Sequence, residues 1–194
     1  MPTLMSKAEV VAGLSDLQQL DCDAVANYRL AIGLLRDARH RQTLERFLAD
    51  HERHVTTLGD AIRAAGGFPL PLPHVPTGML KLGVQAASAF GDDRMVLLAF
   101  RSNELQARDR YARAAAAPWP APVATLIAAN AADESRHFDW VSGVLERAGL
   151  GEGTRAGAFA AAFAQLHAGT ADLMEDFGRS SLRAAYGFLH PAGV

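Results

Sequence analysis

The chain has 194 residues, 49% of them hydrophobic and 21% charged, with 19 basic against 21 acidic residues and a formal net charge of −2. Such a composition supports a buried core and excludes a disordered chain, and a near-neutral balance without runs of one sign argues against nucleic acid or an anionic membrane surface as the main partner. The single cysteine, Cys22, excludes an internal disulfide framework and a multi-cysteine zinc site.

Alanine is the commonest residue, which favours helix over strand. The first stretch, Met1 to Leu20, is interrupted by Lys7, Glu9 and Asp16 and does not read as a signal peptide. No segment is apolar for long enough to span a bilayer, so the expected location is cytoplasmic. A first helix is expected from about Ser15 to Ala38, where Ser15-Asp16-Leu17-Gln18 has the form of a capping box. A short turn before it could start at Ser6, where Ser6-Lys7-Ala8-Glu9 offers a similar cap.

A second helix runs from about Arg41 to Ala65 and stops at Gly66-Gly67. Phe68-Pro69-Leu70-Pro71-Leu72-Pro73-His74-Val75-Pro76 cannot be regular helix, because proline lacks the amide donor and fixes φ. A short helix from about Gly78 to Phe90 follows. The third long helix starts near Asp92-Asp93, acids suited to a positive helix N-terminus, and runs to Ala117. Pro118-Trp119-Pro120 breaks it, and the fourth runs from about Ala121 to Ala148, before Gly149. A fifth helical region, about Thr154 to Phe188, carries Phe159, Phe163, Leu166, Leu173 and Phe177 at helical spacing.

Short loops make two antiparallel hairpins, and the long linker between them can cross the length of a bundle. The expected architecture is all-α: a four-helix bundle over residues 1–150, and a helical extension over 151–194 packed on it or at a homodimer contact.

The two halves of the bundle match at an offset of 83 residues. Asp21 falls on Glu104, Tyr28 on Tyr111, Asp50 on Asp133, His51 on Glu134, Arg53 on Arg136 and His54 on His137. Asp21 and Tyr28 fill the missing steps of the stripe Leu14, Leu17, Ala24, Ala31, Leu35. His51 and His54 do so for Leu44, Phe47, Leu58 and Ala65. Glu104 and Tyr111 do so for Leu97, Phe100, Ala107 and Ala114, and Glu134 and His137 for Val123, Ile127, Val141 and Val144. Steps of three and four are those of residues facing a bundle core. Three carboxylates and three histidines in a dry core demand compensation, which divalent metal ions supply. The alternative is a metal-free network in which these groups satisfy one another. His74, His167 and His190 lack a partner at ligand spacing.

Glu134-x-x-His137 and His51-x-x-His54, with an acid on each of the other two helices, resemble the ligand set of ferritin-like di-iron carboxylate proteins, which is Glu-x-x-His on two helices and an acid on each of the others. Asp133-Glu134-Ser135-Arg136-His137 is similar to the Asp-Glu-x-Arg-His motif of di-iron oxidases, desaturases and ribonucleotide reductase small subunits. The likeness covers about residues 15–148 and extends to rubrerythrin- and bacterioferritin-related bundles. It implies that Asp21 and Glu104 are terminal carboxylates, that Glu134 bridges, and that His54 and His137 each bind one ion. It also implies that Asp50 and Asp133 accept hydrogen bonds from the imidazoles of the opposite half, with Tyr28 and Tyr111 as neighbouring hydroxyls. The implied cofactor is iron, as two ions or one, with manganese or zinc as alternatives. The implied activity is an iron-dependent oxidase or iron handling, with O2 or a small molecule as substrate. Two departures stand out: His51 replaces the family's other bridging glutamate, and Asp21 is one methylene shorter than the usual glutamate. The first-half position is therefore expected to be the weaker one. A non-enzymatic stress or structural bundle with a metal-free polar core is the competing expectation.

Overall fold

In the computed structural model, which describes residues 4–73, 92–151, 153 and 154, four α-helices pack against one another, and no strand occurs among the described residues. They are α1 (Lys7–Leu34), α2 (Ala38–Ala64), α3 (Asp93–Ala115) and α4 (Ala121–Leu145), and a π-type turn, Glu146–Leu150, continues α4. None is long and apolar enough to cross a membrane. The helix expected over 78–90, the fifth helical region beyond Thr154, and His74, His167 and His190 lie outside the described residues.

Local chemistry sets the helix ends, and it moves two of the expected boundaries. The first helix begins at Lys7 and not near Ser15. Ser6 and Glu9 form the reciprocal cap, with Ser6 N–H donating to Glu9 Oε2 at 2.8 Å and Glu9 N–H to Ser6 Oγ at 3.3 Å. The Ser15–Gln18 pattern sits inside the helix, where Gln18 Nε2 donates instead to the Val55 carbonyl of α2. The first hairpin turn lies at residues 35–37, earlier than expected. Asp37 caps α2 by accepting from Arg39 N–H at 2.7 Å, and Asp93 at the start of α3 accepts from Arg36 N–H and Asp37 N–H. One carboxylate thus ties that turn to the other hairpin. At the opposite end Trp119 lies over Gly13, where a Cβ would come within 2.5 Å of the indole ring. Gly66 and Gly149, at φ +87° and +77°, supply the left-handed backbone that stops α2 and the turn after α4.

α1 pairs with α2, and α3 with α4; α1 also packs on α3 and α2 on α4, closing a ring of four. Asp16 of α1 meets Arg110 of α3, whereas Arg36 meets Asp93, so α1 and α3 are antiparallel. α2 ends beside the start of α1, with Gly67 against Val11, and α3 starts beside the end of α1. The end of α2 and the start of α3 therefore lie at opposite ends of the bundle.

Two apolar clusters fill the interior. One, with Leu35, Leu44, Phe47, Leu97, Phe100, Val141 and Leu145, occupies the end near Asp93. The other, with Val10, Leu14, Leu17, Leu58, Ile62, Trp119 and Ile127, occupies the end near Met5. Each buried leucine or isoleucine contributes about 1.5–3 kcal/mol. The 83-residue offset extends into this packing, pairing Leu14 with Leu97, Leu44 with Ile127 and Leu58 with Val141. Between the clusters lies a layer of buried polar groups.

Candidate metal centre in the bundle core

Each helix delivers its polar residues to that layer through the same three- and four-residue steps that carry its apolar stripe. Asp21, His51, His54, Glu104, Glu134 and His137 are at most 2% exposed. They fall into two overlapping groups, in each of which one candidate ligand atom per residue lies within 4.8 Å of the others: Asp21, His51, His54, Glu134 and His51, Glu104, Glu134, His137. His51 and Glu134 belong to both groups, so they occupy the middle of the cluster. The two terminal acids and the two remaining histidines occupy its ends.

The two ends differ. Asp21 is a hub: its Oδ1 accepts from His51 Nδ1 at 2.8 Å and His54 Nδ1 at 3.2 Å, and its Oδ2 accepts from the Tyr111 hydroxyl at 2.5 Å. Asn130 Nδ2 donates to the same hydroxyl at 3.4 Å. At the other end His137 Nδ1 stands 3.9 Å from Glu104 Oε2, too far for a hydrogen bond. His51 Nε2, Glu104 Oε2, both Glu134 oxygens, His137 Nδ1 and the Tyr28 hydroxyl are all buried without a hydrogen-bond partner. Glu134 Oε1 has only ion-pair contacts, 3.4 Å to His54 Nδ1 and 3.5 Å to His51 Nδ1. An orphaned buried polar atom costs about 1–3 kcal/mol, more when charged. Unmatched imidazole nitrogens and carboxylate oxygens are, once deprotonated, a donor set that suits iron, manganese or zinc, so these residues fit an ion.

Outside the cluster, Asp50 and Asp133 form a cross-braced ring with Arg53 and Arg136. His137 Nε2 donates to Asp50 at 3.1 Å and His54 Nε2 to Asp133 at 3.1 Å, each reaching the acid of the opposite half. Arg53 bonds Asp50 and Asp133 at 2.6 and 2.5 Å, and Arg136 bonds Asp133 and Asp50 at 2.6 and 2.7 Å. The ring fixes both imidazoles so that Nδ1 faces inward, the geometry by which outer carboxylates orient histidine ligands.

Electrostatics follows the hydrogen bonds. Burial would lower His51, but the charge of Glu134 and the bond to Asp21 raise it to about 9. Burial is likewise outweighed at His54, raised to about 10 by Asp21 and Glu134. His137 moves the other way: burial, then the charge of His51, lowers it to about 3, leaving a neutral ring. Burial and the neighbouring Glu134 raise Glu104 to about 8. At Asp21 burial is overcome by the bonds from His51 and His54, which hold the carboxyl below its ordinary value. At Asp50 burial is overcome by the bonds from Arg53 and His137, which hold it at about 2.

Every residue expected at the site from sequence is here, Tyr28 and Tyr111 included. Cys22 is half-buried and outside the cluster. Asn130 was missed, although it fills the step between Ile127 and Glu134 on the same face of α4. Its repeat partner is Phe47, whose ring lies 4.1 Å from that of His137. Asn27, buried beside Tyr28, was missed as well, and its position beside the stripe gave no signal. No protein-family profile, curated protein or solved structure matches the chain.

Proposed function

We propose that the protein is a divalent-metal-binding helical bundle of the ferritin-like kind. The observation that carries this reading is the pair of overlapping donor groups sharing His51 and Glu134, buried and partly unpartnered. Asp21 and His54 at one end and Glu104 and His137 at the other are the alternative groups that can join this pair, while Asp50 and Asp133 aim the two outer imidazoles. Iron is the ion the resemblance implies, as two ions or one, and manganese or zinc suit the same donors. A bound ion supplies Lewis acidity and, for iron or manganese, redox capacity, in keeping with an iron-dependent oxidase or an iron-handling protein acting on O2 or a small molecule. The chain's own residues hold the donors at fixed separation, exclude bulk water and neutralise charge.

Protein purified without chelator is expected to carry near-stoichiometric iron, manganese or zinc by elemental analysis, and Glu134→Ala and His137→Ala to lose it. Absence of metal from the folded wild type, or retention by both variants, would sink the assignment.

A second reading is a non-enzymatic bundle with a metal-free polar core, favoured by the hydrogen bonds that converge on Asp21. It predicts that stripping metal leaves the unfolding transition unmoved and that ferrous-loaded protein consumes no O2.

A further inference from the structure

The orphaned atoms of the core are not shared equally between its ends. Asp21 and His54 have hydrogen-bond partners at every side-chain atom that faces the cluster. By contrast, all four residues of the other group leave an atom unmatched: His51 Nε2, Glu104 Oε2, Glu134 and His137 Nδ1. Protons and hydrogen bonds can settle the first end. The second end keeps four donor residues with open atoms, the arrangement a cation with open coordination fills.

Charge counting agrees. Asp50 and Asp133 are matched by Arg53 and Arg136. Three core carboxylates remain, Asp21, Glu104 and Glu134, and they balance one divalent ion and one proton but not two divalent ions. Space agrees as well. Beside Glu104, between α1 and α3, a cavity of about 10 Å³ is lined by Asn27, Tyr28 and Glu104 among others. That is room for about one water. Tyr28 and Asn27, whose hydroxyl and Oδ1 are buried without a hydrogen bond, are among its lining residues.

We infer that the core is a one-ion site, formed by His51 Nε2, Glu104, Glu134 and His137 Nδ1, with an adjacent place for one water-sized ligand beside Tyr28 and Asn27. Asp21 is a positioning residue: by accepting from His51 Nδ1 it presents Nε2 to the ion, and Tyr111 and His54 hold Asp21 in turn. The inference rests on the metal-binding reading and adds which end the ion occupies.

The test is a Co2+ titration of metal-free wild-type protein followed by visible absorption, with bound cobalt counted after gel filtration. One Co2+ per chain is expected to saturate first, with any second ion at least about tenfold weaker. Glu104→Gln and His137→Ala are expected to lose the tight ion, whereas His54→Ala keeps it. Asp21→Asn is expected to weaken it about 10- to 100-fold and to alter the cobalt bands as His51 reorients. Two ions of equal affinity would overturn the inference and leave metal binding intact. So would His54→Ala losing the ion as completely as His137→Ala. A folded wild type that takes up no Co2+ overturns the metal-binding reading and this inference together. Thermal melts confirm that each variant folds; should His54→Ala not fold, His54→Gln replaces it, and the wild-type stoichiometry decides independently.

Discussion

The Asp21 end and the Glu104 end of the core are built from matching residues at a fixed offset, yet they respond to burial in opposite ways. At the first, a short carboxylate sits where two imidazoles and a phenol all reach it, and its hydrogen bonds close the network. At the second, the longer Glu104 stands 3.9 Å from His137, and the Tyr28 hydroxyl interacts with Glu104 without a well-formed hydrogen bond. One further exchange widens the gap. Asn130 donates to the Tyr111 hydroxyl, whereas Phe47, its repeat mate, offers only a ring face to His137. The comparison teaches that a duplicated ligand pattern need not give two equivalent sites. The residues that break the symmetry, His51 for a glutamate and Asp21 for a glutamate, both add hydrogen bonding at one end and leave the other dependent on an ion.

The largest effect is expected from restoring symmetry. His51→Glu supplies the fourth carboxylate, so that two divalent ions balance the core. It also removes the imidazole that engages Asp21. Cobalt stoichiometry is expected to rise from one tight ion per chain to two. A variant that folds and still binds one would show that His51 is not what makes the ends unequal.

Much of this was legible in the sequence, and for a physical reason. The helices, their antiparallel pairing and the six core groups follow from steps of three and four and from an offset that repeats polar residues within an apolar stripe. Helix ends were less legible, because two capping patterns competed in α1 and only tertiary contact decides which is used: Gln18 is drawn to the Val55 carbonyl of α2. The mutual reach of Asp50 and Asp133 to the opposite histidines could be expected only from resemblance, and the geometry has it. The inequality of the two ends was visible as a missing carboxylate. Its expression in hydrogen bonds depends on Asn130 and on distances that no spacing encodes.

A smaller effect is expected from pH. In the metal-free protein His51, at about 9, and Glu104, at about 8, are both protonated at pH 7, and His137, at about 3, is already neutral. The groups facing them are Asp21 on α1, His54 on α2 and Glu134 on α4. Because both raised groups must lose a proton to bind an ion, binding releases about two protons at pH 7. Affinity is therefore expected to rise about a hundredfold per pH unit up to about 8 and to flatten above 9. Calorimetric titrations in buffers of different ionisation enthalpy count those protons. Binding at pH 7 with no proton release would mean that the ion avoids His51 and Glu104.

The smallest effect separates the two tyrosines. Tyr111→Phe removes a hydroxyl that donates to a buried carboxylate at 2.5 Å. A hydrogen bond to a charged group is worth about 1.5–3 kcal/mol, and Asn130 is left short of its acceptor as well. Tyr28→Phe removes a buried hydroxyl that makes no well-formed hydrogen bond and keeps the ring that meets Phe100 edge-on at 4.7 Å. Deleting an unsatisfied polar atom while conserving shape is expected to leave the stability of metal-free protein unchanged or to raise it slightly. Urea unfolding of the two metal-free variants puts the halves side by side in one measurement. Equal losses would mean that Tyr28 has a partner in solution and that the ends are more alike than their hydrogen bonds. A loss confined to Tyr111→Phe is the outcome that follows from one end holding itself together without an ion.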